Sequence, residues 1–208
     1  MLEVHHLNNS RSQRVLWLLE ELGVPYEIKS YQRDATSMLA PDSLAKIHPL
    51  KKSPVIRDGD QVVNESGAII EYIVRRYGKG RLAPPESSPD WPRYLIFMHY
   101  AEGSAMLPLM LHLYTGRLGE AGAPLKPRIG SEIDNHFGWL DSELAGREWF
   151  VGSSLSAADI QLSFAIQACN RMVGLDKFPN LKGFLDRNHA RPAYKRALER
   201  GGPYAFGS

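Results

Sequence analysis

The chain of 208 residues is poor in cysteine, in long apolar runs and in excess charge. Its single cysteine, Cys169, excludes an intrachain disulfide and any Cys-x-x-Cys redox or zinc motif, so we expect no metal. No apolar run approaches the roughly 18 residues of a membrane-spanning helix, which argues against a membrane protein. The net charge of +2 comes without a dense basic run, which argues against nucleic acid as a partner. The first residues also lack the basic and apolar regions of a signal peptide, so we expect a soluble, cytoplasmic protein.

What the chain does have, over its first 77 residues, is an alternation of short strands and helical patterns. A strand, a helix and a second strand come first, and two short strands and a helix follow after Pro54. Because a hairpin adds antiparallel partners to a parallel βαβ unit, the order βαβ-ββα predicts a small mixed sheet in an α/β domain. The expected strands are 2–7, 26–31, the run after Pro54 and 61–63; the expected helices are 11–22 and 65–77, with a short helix inside a loop at 36–47.

The composition changes after Tyr77. Three prolines between residues 79 and 90 cannot continue a helix, so this segment is predicted to be a linker. Beyond it, periodic apolar runs predict helices at 94–118, 127–144, 157–172, 181–188 and 192–200, and no strand. Pro108 is expected to kink or interrupt the first of these helices. The predicted organisation is an α/β domain at 1–78, a linker at 79–90 and an all-helical domain at 91–208.

The stretch from residue 52 to residue 68 carries the strongest functional signal. Pro54 begins a strand and cannot donate to its ladder, so the backbone of Ser53 is left for an extended peptide ligand. Twelve residues later, Ser66 begins a helix whose free N–H groups and dipole attract a carboxylate, and Glu65 beside it can hold an ammonium. Together these features fit an α-amino-acid head group. The alternative is that Ser66 only caps the helix and Pro54 only ends a loop.

A capping box is predicted at the start of the helix near residue 157. Ser156 and Asp159 stand three positions apart just before the apolar Ile160, which is the pattern in which each side chain bonds the other's backbone N–H. We expect both residues to be structural rather than catalytic. Cys169 lies in the apolar pattern of the same helix, which favours core packing over reactivity.

These motifs, in this order, resemble a soluble glutathione S-transferase over essentially the whole chain. The turn and first helix of the family are similar to Asn9-Ser10-Arg11-Ser12-Gln13-Arg14-Val15-Leu16, its cis-proline loop to Lys52-Ser53-Pro54-Val55, its γ-glutamyl site to Glu65-Ser66 and its capping box to Ser156-Ala157-Ala158-Asp159. The Asn-Ser-Arg turn with the following Leu-Trp-Leu-Leu-Glu-Glu-Leu is similar to a bacterial and fungal branch. The resemblance implies a thioredoxin-like N-terminal domain, an all-helical C-terminal domain, glutathione as co-substrate, a role in detoxification and a homodimer.

The chemistry implied by the resemblance is activation of the glutathione thiol. A free thiol with a pKa of about 8.5 is mostly protonated at neutral pH, whereas the thiolate is the nucleophile. A hydrogen-bond donor near a helix N-terminus favours the anion, and Ser10 and Asn9 both stand at such a place. Ser10 offers a hydroxyl, but with Gln13 it also fits a capping box of its own. Asn9 occupies the position where related enzymes carry a catalytic serine or cysteine, and Arg11 is a third candidate because its cation would stabilise a thiolate.

The remaining glutathione contacts follow from the resemblance residue by residue. Ser53 with Pro54 would pair its backbone with the cysteinyl portion, and Glu65 with Ser66 would hold the γ-glutamyl end. Lys52 would face the glycyl carboxylate, although its neighbour Lys51 offers the same charge. A small, apolar or aromatic electrophile would lie in a cleft lined from the first helix of the second domain by Tyr100, Met106, Met110 and Tyr114, for which ordinary core packing is the alternative.

Three functions stay open at this point. The first is a glutathione transferase, with glutathione-dependent peroxidase activity possible at the same site. The second is a non-catalytic module of this fold that binds glutathione or a partner. The third is a glutathione-dependent disulfide reductase, in which bound glutathione rather than a protein cysteine would reduce the substrate.

Overall fold

The computed structural model describes residues 1–207, and a four-stranded sheet organises the N-terminal part. The strands β1 (Leu2–Leu7), β2 (Tyr26–Tyr31), β3 (Val55–Asp58) and β4 (Gln61–Asn64) lie in the order β2-β1-β3-β4. β1 is parallel to β2 and antiparallel to β3, and β3 is antiparallel to β4. The mixed sheet predicted from the βαβ-ββα order is therefore confirmed.

Two helices, α1 (Ser12–Leu22) and α2 (Ser66–Tyr77), contact each other beside this sheet, and a short 3₁₀ turn spans Asp42–Lys46. α1 is buried on almost every side, which explains the unbroken apolar run from Val15 to Leu19. It ends at Gly23, which adopts φ +64° and donates its N–H to the carbonyl of Glu20. A left-handed residue after the last turn is the usual helix stop, and glycine takes it without a steric cost.

The last helix, α8 (Pro192–Gly201), packs along α1 and belongs to the same compact unit as the sheet. This unit comprises residues 1–83 and the residues from His189 onward; the second unit comprises residues 84–188. The predicted helical domain at 91–208 includes the helix 192–200, because periodicity reveals a helix but not its packing partner. Ser208, the end of that predicted domain, lies outside the described residues.

The second unit contains the helices α3 (Trp91–Tyr100), α4 (Met106–Gly116), α5 (Lys126–Glu143), α6 (Ala157–Val173) and most of α7 (Pro179–Ala190). Its core includes four phenylalanines with at most 1% exposure: Phe97, Phe137, Phe150 and Phe184. α6 is the most deeply placed helix, since every side chain from residue 157 to residue 169 is buried. Cys169 lies in this run, where burial and the nearby Asp134 raise the pKa of its thiol to about 12, so it is not a nucleophile.

The helical run predicted at 94–118 is interrupted between α3 and α4. A π-helical turn spans Ala101–Ala105, directly before the turn that holds Pro108. Proline has no N–H for the carbonyl four residues earlier, that of Ser104, so the regular ladder fails there. A wider π turn accommodates this local mismatch, as expected for a proline-associated interruption.

The capping box at the start of α6 is present in full. The Ser156 hydroxyl accepts from the Asp159 N–H, and the Asp159 carboxylate accepts from the N–H of Ser156 at 2.7 Å and its hydroxyl at 2.6 Å. A fourth hydrogen bond lies outside the capping-box motif: the N–H of Phe150 donates to the Asp159 carboxylate at 2.8 Å. Asp159 thus joins the preceding loop to α6.

No helix within residues 1–207 is long and apolar enough to cross a membrane.

Candidate active site

The turn that joins β1 to α1 is held by an arginine from outside it. Arg33, just after β2, donates from its side chain to the carbonyls of Asn8 and Asn9 at 3.2 and 3.3 Å. Its backbone N–H donates to the Asn8 side chain at 2.8 Å. Asn9 adopts φ +50°, a left-handed conformation that asparagine tolerates better than most residues. Burial and the nearby Arg11 lower the pKa of Arg33, so two cations lie close to the turn.

Ser10, a predicted thiol ligand, is 4% exposed and belongs to a chain of hydrogen bonds. Its hydroxyl lies 2.8 Å from that of Ser12, which lies 2.8 Å from Nδ1 of His6. Nε2 of His6 faces the carbonyl of Gly201 at 3.1 Å, and a carbonyl only accepts, so Nε2 carries the proton and Nδ1 accepts from Ser12. Burial lowers the pKa of His6 and favours this neutral form. The Ser10 hydrogen is then donated to Ser12.

The capping box predicted for Ser10 and Gln13 is wrong. α1 begins at Ser12 with Arg11 as its N-cap residue and no side-chain cap, and the Ser10 hydroxyl accepts from the N–H of Ser12 instead. Gln13 is 2% exposed, and its amide has no hydrogen-bond partner within residues 1–207. The physical reason is that the buried His6 and Ser12 side chains draw the Ser10 hydroxyl toward the sheet.

Asn9, the other predicted thiol ligand, is half-buried and presents a different set of atoms. Its Oδ1 accepts from the backbone N–H of Ala205 at 2.7 Å. A backbone N–H can only donate, so the amide oxygen must be the atom that faces Ala205. Its Nδ2 has no hydrogen-bond partner in the described part of the chain. Asn9 therefore still has a hydrogen-bond donor to offer, whereas the hydroxyl of Ser10 already donates to Ser12.

The loop before β3 is fixed through the side chain of Ser53. The Ser53 hydroxyl donates to the His5 carbonyl at 2.8 Å and accepts from the Leu7 N–H at 3.2 Å. The bond from Ser53 to Pro54 is cis. Because the ladder between β1 and β3 begins at Val55, the peptide groups of Ser53 lie outside it. The side chain thus anchors the loop while the backbone stays available to a ligand.

The two lysines of this loop have different partners. Nζ of Lys51 is paired with Asp42 at 2.5 Å, although both groups are largely exposed. Lys52 is exposed and has no ion pair within residues 1–207. Of the two, Lys52 is the one whose charge is not already matched by a carboxylate.

The start of α2 places open N–H groups next to a buried guanidinium. Glu65 precedes it with φ +67°, a strained conformation for a residue with a side chain, and no side chain caps the first turn. Ser66 is 4% exposed, and its hydroxyl accepts from Nη2 of the buried Arg14 at 2.6 Å. The open N–H groups and this guanidinium together favour a carboxylate. Glu65 is exposed, and its side chain has no hydrogen-bond or ion-pair partner among residues 1–207, so its carboxylate is open to an ammonium.

The fold brings these groups into one unit. The hydrogen bond between Leu7 and Ser53 places the loop at the end of β1, next to the turn of Asn9. The hydrogen bond between Arg14 and Ser66 ties the first turn of α1 to the first turn of α2. Sequence reasoning missed Arg14 and Arg33. The signal for Arg14 was its charge among the apolar positions of a helix; nothing local identified Arg33.

The four predicted electrophile-site residues belong to the helical unit and differ in exposure. The Tyr100 hydroxyl lies 2.5 Å from Nδ1 of His136 on α5, and Met106 is 3% exposed, so both take part in packing. Met110 is half-buried and Tyr114 is 56% exposed. A cavity of about 430 Å³ in this unit includes none of the four among its lining residues. No group of three or more metal-binding side chains occurs among residues 1–207.

Comparison with known proteins assigns both parts of the chain to one family. Residues 3–75 match the family "Glutathione S-transferase, N-terminal domain", and residues 95–192 match "Glutathione S-transferase, C-terminal domain". Glutathione S-transferase 3 of Schizosaccharomyces pombe is 35% identical, over 96% of this chain and 88% of its own.

Two solved structures are similar over nearly the whole chain. A glutathione S-transferase from Actinobacillus pleuropneumoniae is 31% identical with a TM-score of 0.91, covering 99% of this chain and 95% of its own. A glutathione transferase family member from Pseudomonas fluorescens, solved with two glutathione bound, is 29% identical with a TM-score of 0.79, covering 95% and 92%. With both domain families matched in order, this chain belongs to the glutathione S-transferase family.

Proposed function

We propose that this glutathione S-transferase activates the thiol of bound glutathione through the side-chain amide of Asn9, for attack on a small, apolar or aromatic electrophile. One observation carries the choice of residue: the Ser10 hydroxyl is donated to Ser12, whereas Nδ2 of Asn9 has no partner within residues 1–207. A thiolate needs a donor that is not already bonded. Asn9 meets this requirement and Ser10 does not.

The electrostatics of the turn supports the same role. Asn9 lies just before the N-terminus of α1, whose dipole favours an anion. Arg33 and Arg11 add positive charge close to the turn. Each unit by which these groups lower the thiol pKa corresponds to about 1.4 kcal/mol of preference for the thiolate. Arg11 acts through its charge in this account, not as the hydrogen-bond donor.

The binding of the rest of glutathione is supported by the polar groups around the turn and at the start of α2. The open first turn of α2, with Ser66 and Arg14, suits the γ-glutamyl carboxylate, and Glu65 suits its ammonium. The peptide groups of Ser53 suit the cysteinyl backbone. Lys52 suits the glycyl carboxylate.

Alanine substitution of Asn9 and Ser10 tests the assignment. We expect Asn9→Ala to keep millimolar or tighter glutathione binding in calorimetry and to raise the thiol pKa of bound glutathione. At an assay pH below that pKa, turnover of an aryl halide should slow about tenfold for each unit of the rise. Ser10→Ala is the matched control, which should lower the melting temperature and leave the thiol pKa unchanged. The opposite result, with Ser10→Ala alone raising the thiol pKa, would return the role to Ser10.

The same thiolate would serve the other reactions of bound glutathione. A hydroperoxide assay on the same variants tests peroxidase activity, and a disulfide assay tests reductase activity. The buried thiol of Cys169 takes no part in either, because its pKa is raised to about 12. Glutathione binding without any turnover by the unaltered protein would favour a binding module instead.

We also propose a homodimer in the bacterial and fungal branch of the family. Similarity to the fission yeast and Actinobacillus proteins supports the branch. Exposed apolar side chains on α3 and α4, such as Ile96 at 52% and Leu107 at 58%, support an interface, because a monomer would leave them in water. Light scattering after size-exclusion chromatography should give twice the mass of 23.3 kDa, and a mass of one chain would contradict the proposal.

A further inference from the structure

The C-terminal tail reaches the turn that carries Asn9. After α8, the N–H of Ala205 donates to Oδ1 of Asn9 at 2.7 Å. This bond selects the orientation of the amide, since only its oxygen can face a donor. The Nδ2 group is thereby turned away from the tail.

We propose that the tail from Gly202 to Gly207 is a positioning element for the thiol site, with the Ala205 N–H fixing the Asn9 amide so that its NH₂ group faces the sulfur of glutathione. The inference rests on the proposed role of Asn9 as thiolate donor. Without the bond, the amide can rotate by half a turn and present its oxygen instead. An oxygen facing a thiolate repels it, so the two orientations have opposite effects on the thiol pKa.

The position of the Ala205 N–H is set by the packing of α8 on α1. Arg191 bonds Glu21 with two side-chain nitrogens at 2.5 and 2.9 Å, and Arg196 and Arg200 bond Glu20 at 2.9 and 2.8 Å. Burial alone would raise the pKa of Glu20, but hydrogen bonds from Arg196, Arg200 and Tyr26 outweigh it and lower that pKa, so the pairs of Glu20 with the two arginines stay charged at neutral pH. α8 is thus joined to α1 by charge-assisted bonds at two successive carboxylates.

The end of α8 approaches α1 so closely that a larger residue in place of Gly201 would force buried side chains of α1 to shift. A Cβ on Gly201 would lie 2.6 Å from Oε1 of Gln13 and 2.9 Å from Cδ1 of Leu16. The carbonyl of the same Gly201 accepts from His6, which fixes the point where the tail begins. The rings of Tyr204 and Phe206 contact each other at 5.6 Å on either side of Ala205. The tail therefore starts from a fixed point and is folded on itself around the donor.

A proline at position 205 tests the inference, because it removes the N–H and leaves Asn9 intact. Ala205→Gly is the matched control that keeps the N–H. The readout is the thiol pKa of bound glutathione, from the ultraviolet absorbance of the thiolate as a function of pH, which a merely structural role of the tail would not move. We expect Ala205→Pro to raise this pKa by about half a unit to one unit, the scale of one hydrogen bond, and Ala205→Gly to leave it unchanged.

The same two variants in an Asn9→Ala background complete the cycle. If the tail acts through Asn9, Ala205→Pro adds no further rise there. A rise of equal size in both backgrounds, or equal values for proline and glycine in the unaltered background, would overturn the inference. Failure of the proposed function itself looks different, since Asn9→Ala alone would then leave the thiol pKa unchanged. If the proline variant does not fold, an ester in place of the amide between Tyr204 and Ala205, introduced with an α-hydroxy acid, removes the same N–H.

Discussion

Asp159 is expected to make the stability of the protein fall as pH rises from 4 to 7, opposite to the usual effect of a paired carboxylate. The side chain is 0% exposed, and burial raises its pKa from 3.8 to about 6 despite hydrogen bonds from Ser156 and Phe150. A pKa that is higher in the folded state means that folding favours the protonated form. The contribution is fully present below the unfolded pKa and is lost as pH rises through about 6.

The magnitude follows from the size of the shift. A difference of roughly two units between folded and unfolded states corresponds to about 3 kcal/mol of unfolding free energy. Asp159→Asn removes the titration and keeps the shape of the side chain. Because pH 4 lies just above the unfolded pKa, where part of the contribution is already lost, the unfolding free energy of the unaltered protein relative to this variant should be about 2.5 kcal/mol greater at pH 4 than at pH 7. Other carboxylates titrate in both proteins and cancel in the difference.

Urea unfolding followed by tryptophan fluorescence, at a fixed protein concentration, measures this difference. Trp149 precedes the Phe150 that donates to Asp159, so the probe reports on the same region. A constant difference between pH 4 and pH 7 would refute the reasoning. It would mean that the three hydrogen bonds from Ser156 and Phe150 outweigh burial and keep the pKa near or below its usual range.

Two further predictions concern the loop before β3 and the end of α8. Lys52→Ala should weaken glutathione binding, with a larger effect at low salt. Lys51→Ala should weaken it less, because Lys51 is already paired with Asp42. If calorimetry gave the same dissociation constant for Lys52→Ala and the unaltered protein, Lys52 would have no role in binding. Gly201→Ala should cost about 1–3 kcal/mol of unfolding free energy through overpacking against α1, whereas Gly130→Ala, where nothing lies within 4 Å, should be neutral or stabilising, and thermal unfolding of both variants would separate the two effects.

The elements of the fold follow from local patterns, and the sequence predicted most of them closely. The strands at 2–7 and 26–31 match β1 and β2, and the helix predicted at 157–172 ends one residue short of α6. Capping residues, glycine stops and apolar periodicity are all encoded within a few positions. The π turn before Pro108 was not predictable in detail. A proline shows that one helical hydrogen bond is missing, but the packing of the surrounding residues determines the local backbone conformation.

The same distinction between local signals and long-range packing applies to the candidate site. Ser53-Pro54 and Glu65-Ser66 could be proposed from the sequence because the chemistry of each pair depends on its own backbone. Arg33, which holds the turn of Asn9, and Arg14, which bonds Ser66, lie 24 and 52 residues away from those partners, and no local rule connects them. Contacts at such separations depend on the completed sheet and helices.

The choice between Asn9 and Ser10 shows why a local motif is insufficient here. A serine before a helix satisfies two rules at once, as a cap and as a thiol donor, and both rules assume that its hydroxyl is free. In the folded chain the hydroxyl belongs to a path that runs through Ser12 to His6 and ends at the carbonyl of Gly201, nearly 200 residues away in sequence. The direction of the donors from Ser10 to His6 follows from that one carbonyl, so the proposal that Asn9 rather than Ser10 is the thiol donor depends on the C-terminal helix.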